Sequence, residues 1–280
     1  MILFPHIPAM LSLLFCLCIP VDMGGQLPEG VVVHPSANTL AGRFSPPQGY
    51  ERSETDSSSF AFYLRHLPLR PYHSQVLLYN GNPKAWQGGA AAVIDISVGN
   101  KDLQQCADAV IRLRAEYLRK TGREREIVFN FTSGSPASWE RWKEGYRCRV
   151  NGNNVRWEHS AAFSESDLTF WDYLETVFMY AGTWSLEKEL VPVEITALMP
   201  GDVFIEGGSP GHAVIVVDVA ENRAGHRVFM LAQSFMPAQD IHVLTNPADP
   251  DLSPWYRIPV EGQLHTPEWK FSAGSLRRFP

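Results

Sequence analysis

The 280-residue chain holds only four cysteines, has no clustered run of lysine and arginine, and contains no apolar stretch long enough to cross a bilayer. Each scarcity excludes something. The cysteines form no paired Cys-x-x-Cys and the nine histidines include no His-Glu-x-x-His, so no metal site is expected and no cofactor is implied. Phosphate binding depends on grouped positive charge. The nearest groupings are Arg123-Glu124-Arg125, interrupted by acid, and Arg277-Arg278, and 24 basic against 30 acidic residues leave a formal net charge of −6. A nucleic-acid partner is therefore not expected. The apolar run Met10 to Val21, with Ile2 to Phe4 ahead of it, falls short of the about 20 residues of a spanning helix. It suits an export signal over residues 1–25, although no lysine or arginine precedes it and no Ala-x-Ala site follows. Cleavage after Cys18 and cleavage in the Met23-Gly24-Gly25 region are both open. Bulky Phe15 and Leu17 before the cysteines fit a lipid-modification site poorly, and no membrane span is expected once the signal is removed.

What the chain has is enough apolar residue, 45%, to bury a substantial core. Residues 26–59 are rich in Pro, Gly and Ser without periodicity and read as an extended arm. Residues 60–280 read as one α+β domain, with 132–196 as an inserted lobe. A short helix is expected over Ser57 to Leu67, and strands over Gln75 to Tyr79 and Ala91 to Val98. The clearest helix runs from Asp102 to Lys120, where Leu103, Cys106, Val110, Leu113 and Tyr117 recur at three- and four-residue steps and Asp102 with Gln105 suits a capping box. A hairpin is expected about Asn151-Gly152, then a helix from Ser164 to Tyr180 with Leu168, Trp171, Leu174 and Phe178 on one face. The remainder is mostly strand: Val203 to Ile205, Ala213 to Ala220, Arg227 to Ser234 and Ile241 to Leu244.

Two residues could combine into chemistry. His212 opens a strand after Gly211, where an acid/base group can be approached closely. Cys106 lies in the first turn of its helix, where free N–H groups and the helix dipole favour thiolate, and its backbone N–H or the Gln104 or Gln105 amide could hold an oxyanion. A hairpin turn centred on Asn222 and Arg223 places Gln233 opposite His212, as a group able to orient the imidazole, while a one- or two-residue shift would substitute Ser234 or Ala232. Against this, Cys106 also falls on the apolar stripe, and simple packing accounts for it as well. Asp202 reads as a turn-former and Asp218 as a structural polar group. Cys148, on the hairpin, reads as a packing residue, yet a Cys106–Cys148 disulfide in an oxidising compartment would make the chain a stapled structural domain. Eight tryptophans and nine tyrosines could face a glycan, though core packing accounts for most of them.

Six segments carry a family resemblance: YHSQVLLYNG (72–81), AVIDISVGNKDLQQCADAVIRLRAEYL (92–118), FNFTSG (129–134), Pro200 to Asp218, LAQSFMPAQDIH (231–242) and SPWY (253–256). Together they resemble a family of exported bacterial proteins known as domain of unknown function 4846, from about residue 31 to the C-terminus. That likeness implies an exported bacterial protein, for which a periplasmic or envelope-associated location is expected, and no particular activity. A cysteine opening a helix, followed later by Gly-Asp-strand, Gly-His-strand and a polar residue on the next strand, more distantly resembles the papain-like NlpC/P60 cell-wall peptidases. This second likeness implies a papain-like antiparallel sheet with Cys106 as nucleophile, His212 as base and Gln233 as orienter. The chain departs from that pattern in Gln-Cys-Ala where Asp-Cys-Ser is usual, and in a longer Cys-to-His separation. Two readings follow: a cysteine amide hydrolase or transferase acting on a cell-envelope peptide, or a non-catalytic envelope protein binding glycan or protein on the same scaffold.

Overall fold

The stretch from Ala213 to Val217 is apolar at every position, a pattern that suits a strand covered on both sides. In the computed structural model, which describes residues 30–259 and 262–280, it forms part of the strand His212–Asn222 inside a nine-stranded antiparallel sheet. The strands run in the order Ala90–Val93, His242–Leu244, Arg227–Gln233, His212–Asn222, Val203–Glu206, Leu276–Arg278 and Val191–Pro192. Two more join from the sides, Tyr50–Glu51 on the histidine strand and Trp255–Arg257 on Arg227–Gln233. The expected export signal lies outside the described residues. No helix among the described residues is long and apolar enough to cross a membrane.

Period-two alternation divides the core. Ala213, Ile215 and Val217 pack in one cluster with Val110, Leu113 and Tyr117 of the helix Cys106–Lys120. Val214 and Val216 face the other way, into a second cluster with Phe204, Phe229 and Phe271. The helix begins four residues later than its periodicity suggests. Asp102 is not its cap, because Asp102 Oδ1 accepts instead from Ala238 N at 2.6 Å and anchors that loop. Gln105 is the cap, with Asp108 Oδ2 at the third helical position accepting from Gln105 N at 2.9 Å, which leaves Cys106 as the first helical residue.

Several expectations need correction. The described part of the segment read as an extended arm, residues 30–59, is docked: Leu40 and Phe44 are buried in the core, and Tyr50–Glu51 extends the sheet. The lobe 132–196 does not stand apart, since Trp139, Phe170 and Tyr173 belong to the same cluster as the cysteine helix. Gln75 to Tyr79 forms isolated bridges only, because side chains take its backbone donors: Gln87 Oε1 accepts from Val76 N and Asp240 Oδ2 from Leu77 N, while Gln87 Nε2 shares Val76 O with Lys84 N. Ser166, not Ser164, caps the helix Asp167–Tyr180, and this start leaves Leu168 in the first turn, exposed. Cys106 and Cys148 are both free thiols on separate elements, helix and hairpin, so the stapled-domain reading does not hold.

Candidate Cys–His site

The helix N-terminus and the loop 208–211 ahead of the histidine strand meet at a cleft of about 310 Å³, whose lining includes Cys106, Asp108, Gly182, Thr183, Gly211 and Met236 but not His212. Cys106 is 9% exposed there. The backbone N–H groups of Ala213, Ala107 and Cys106 lower its thiol pKa, which sets the sulfur near the backbone of the residue that follows His212. The Gln104 amide is committed elsewhere, with Oε1 accepting from Arg112 Nη1 and Nε2 reaching Gln239 O at 3.5 Å. Gln105 Nε2 turns to Asp102 at 3.4 Å. An oxyanion at this cleft would therefore depend on backbone N–H donors.

Strand alternation points the His212 ring toward the second cluster, where Phe235, Trp269 and Phe271 surround it at centroid distances of 5.0, 5.4 and 5.7 Å. Its Nε2 meets Gln233 Oε1 at 2.8 Å. The pairing expected from the hairpin is realised by a different register. The turn is longer than a two-residue one, Arg227 pairing with Glu221, and an irregularity at Met230/Leu231 brings Ala232 opposite Ile215. Continuing that ladder puts Gln233 across from Val214. The shift of two residues preserves the face, so Gln233 reaches His212 diagonally. The structure thus brings His212 and Gln233 together and brings Cys106 to the adjacent backbone. No hydrogen bond joins the thiol to the imidazole.

Burial governs the protonation of the site. It pushes the Cys106 thiol up to about 11, with the Asp108 carboxyl adding to the rise and the three N–H groups opposing it. It lowers His212 to about 4, against the raising effect of the Gln233 bond, with Lys84 lowering and Glu206 raising it further. From about 11 to about 4, transfer of the proton from thiol to imidazole is roughly 10 kcal/mol uphill in the free protein. At rest the Cys106 thiol and the His212 imidazole are both neutral.

Sequence reasoning missed Lys84 and Glu268. Gln233 Nε2 donates to Glu268 Oε2 at 2.6 Å, and Lys84 Nζ donates to the same oxygen at 2.6 Å. Nothing local marks two lone charged residues 184 positions apart as neighbours. His242, paired with Gln233 across the ladder, is fully buried with Nδ1 on Asp240 O at 3.0 Å and Nε2 without a partner. Asp202 and Asp218 are structural, Asp202 accepting from Met199 N at 2.9 Å and from Arg278 at 2.6 Å. Among the described residues no group of three or more His, Cys, Asp or Glu converges to hold a metal ion.

The loop before His212 is packed without room. A Cβ on Gly211 would lie 2.5 Å from Thr183 Oγ1 and 2.7 Å from both N and O of Gly208, and those backbone atoms cannot swing away. Gly211→Ala is expected to destabilise the protein by about 1–3 kcal/mol and to push the loop off the cleft. Iodoacetamide labelling of Cys106 should accelerate; unchanged labelling and melting would mean that the loop absorbs the methyl.

Sheet, helix and cleft define an α+β protein with a large antiparallel sheet and a buried cysteine at a helix N-terminus beside a histidine strand. A family model described as domain of unknown function (4846) matches residues 40–278, and the chain belongs to that family. No curated protein and no solved structure matches the chain.

Proposed function

We propose that the chain is a cysteine amide hydrolase or transferase of the cell envelope on a papain-like scaffold, with a peptide as substrate. The observation that carries this is the His212–Gln233 bond. With Gln233 Oε1 accepting, Nε2 holds the ring proton and Nδ1 is left as the free base, next to the strand residue whose N–H lies near the Cys106 thiol. In the reaction, Nδ1 takes the Sγ proton as sulfur attacks the carbonyl carbon, so that no free thiolate is formed against the pKa gap. The N–H groups of Cys106 and Ala107 at the helix start suit the developing oxyanion. The imidazolium then returns its proton to the leaving amine as the C–N bond breaks, giving a thioester. Water, or an acceptor amine, attacks that thioester with Nδ1 as base and restores the thiol. The envelope assignment rests on the apolar N-terminal run.

The second reading, a non-catalytic envelope protein that binds glycan or protein, is favoured by two observations. The His212 ring packs on the sheet face away from the cysteine helix, and both groups are neutral at rest.

p-Nitrophenyl acetate separates them. Intact-mass analysis is expected to find one acetyl group on the wild-type protein, absent in Cys106→Ala and formed about 10²–10⁴ times more slowly in His212→Ala. Acetylation that ignores His212, or that never occurs at Cys106, favours the binding protein.

A further inference from the structure

Resting on the hydrolase reading, we propose that Glu268, held by Lys84, is a positioning residue that orients the Gln233 amide and thereby decides which nitrogen of His212 carries the proton. The logic is one of donors and acceptors. An ionised carboxylate only accepts, so Gln233 must turn its NH₂ to Glu268 and its Oε1 to the ring. A carbonyl oxygen also only accepts, so the proton must sit on His212 Nε2. A neutral imidazole has one N–H, which leaves Nδ1 bare to receive the thiol proton. Each of the three contacts is short: 2.6 Å for Lys84–Glu268, 2.6 Å for Gln233–Glu268 and 2.8 Å for His212–Gln233.

The surroundings leave little competition for these contacts. Glu206, the other carboxylate near the ring, is engaged by Trp269 Nε1 at 3.1 Å and Ser272 N at 2.9 Å. His242 directs its donor to Asp240 O, away from Gln233. Lys84 lies over the Phe235 ring at 5.7 Å, and its side chain and that of Glu268 are 10% and 15% exposed, so water reaches the pair only at its edge. Without Glu268 the Gln233 amide is free to flip. Its NH₂ would then face His212 Nε2, the ring proton would move to Nδ1, and the base would be lost.

The test reads the tautomer directly. In protein labelled with ¹⁵N-histidine, two-bond ¹⁵N–¹H spectra at neutral pH, with His212 assigned by its loss in His212→Ala, are expected to show the Nε2–H form in wild type. Glu268→Ala should shift His212 toward Nδ1–H and slow acetylation of Cys106 by about tenfold or more. Glu268→Gln, whose amide oxygen still accepts from Gln233, should retain Nε2–H. If the alanine variant does not fold, Glu268→Met, which keeps bulk and removes the acceptor, is read in its place. A wild-type Nδ1–H form, or an unmoved tautomer in a folded Glu268→Ala or Glu268→Met, overturns the positioning role. A tautomer that moves in protein whose Cys106 is never acetylated upholds the positioning and overturns the hydrolase reading alone.

Discussion

Asp218→Ala is expected to destabilise the protein by about 3–5 kcal/mol and to lower its melting midpoint by roughly 10 °C. Asp218 is fully buried, just past the register irregularity on the histidine strand, and it collects three donors. Oδ1 accepts from Arg65 Nε at 2.6 Å and Val219 N at 2.9 Å, and Oδ2 accepts from Arg52 Nε at 2.6 Å. Arg65 is itself almost buried, with 6% of its side chain exposed, and its other nitrogens reach Ser53 O and Val219 O. Removing the carboxylate leaves a guanidinium in the interior with no counter-charge, and that uncompensated charge, more than the lost pair, is what destabilises. The same change also unpins the segment between Phe44 and Ser59 from the sheet. Limited proteolysis should therefore find a new cut in that segment, and Asp218→Asn, which retains one acceptor oxygen, should lie between wild type and alanine. A melting midpoint unchanged in Asp218→Ala would show that Arg65 finds water or another acceptor.

The parts of the fold that were legible in the sequence are those in which one strong period dominates. Val110, Leu113 and Tyr117 announced a helix, and the Asn151-Gly152 turn announced its hairpin, because side-chain spacing and turn chemistry act over a few residues. The misread parts are those decided by distant partners. Asp102 carries the composition of a helix cap, yet Ala238 N claims it from 136 residues away. Gln75 to Tyr79 has strand-like residues, yet the Gln87 amide and the Asp240 carboxyl take hydrogen bonds a neighbouring strand would need. Residues 26–59 look like linker because they lack periodicity, yet single apolar residues such as Leu40 and Phe44 suffice to dock the described part, 30–59. In the candidate site, His212 and Gln233 were legible as neighbours even though their register was misjudged by two, because pairing by face survives an even shift. Glu268 and Lys84 were not, since a charge-assisted contact between loops has no periodic signature at all.

Asp108→Asn is expected to change how stability depends on pH more than any other single substitution near the cleft. Asp108 is buried with Oδ1 unpartnered, and burial raises its pKa from 3.8 to about 8, against the pull of the Gln105 and Asp108 N–H groups. A carboxyl with a raised folded pKa favours the folded state fully below its unfolded pKa, and that contribution is lost as pH rises through the folded one. For Asp108 the penalty grows from pH 3.8 upward and reaches on the order of 5 kcal/mol by pH 8. Glu189, raised from 4.5 to about 7 by burial, acts in the same direction. His212 and His242 act oppositely. Burial lowers them from 6.5 to about 4 and about 3, so the unfolded chain binds their protons first and stability falls as pH drops below 6.5. Between roughly pH 4.5 and 6.5 these two carboxyls and two imidazoles offset each other, leaving a shallow wild-type slope to which the raised Asp240 carboxyl adds in the direction of Asp108. Above 6.5 only the carboxyls still titrate, so wild type weakens toward pH 8. The asparagine oxygen of the variant can still accept from Gln105 N, and burying the new NH₂ adds about 1–3 kcal/mol of penalty that does not vary with pH. Urea unfolding from pH 4 to 8 should therefore show the variant gaining on wild type steadily as pH rises, and losing stability toward acid where the wild-type slope is shallow. A difference between the two that is constant across this range would mean that Asp108 is ionised in the folded protein at ordinary carboxylate pH, held there by the helix N-terminus it caps.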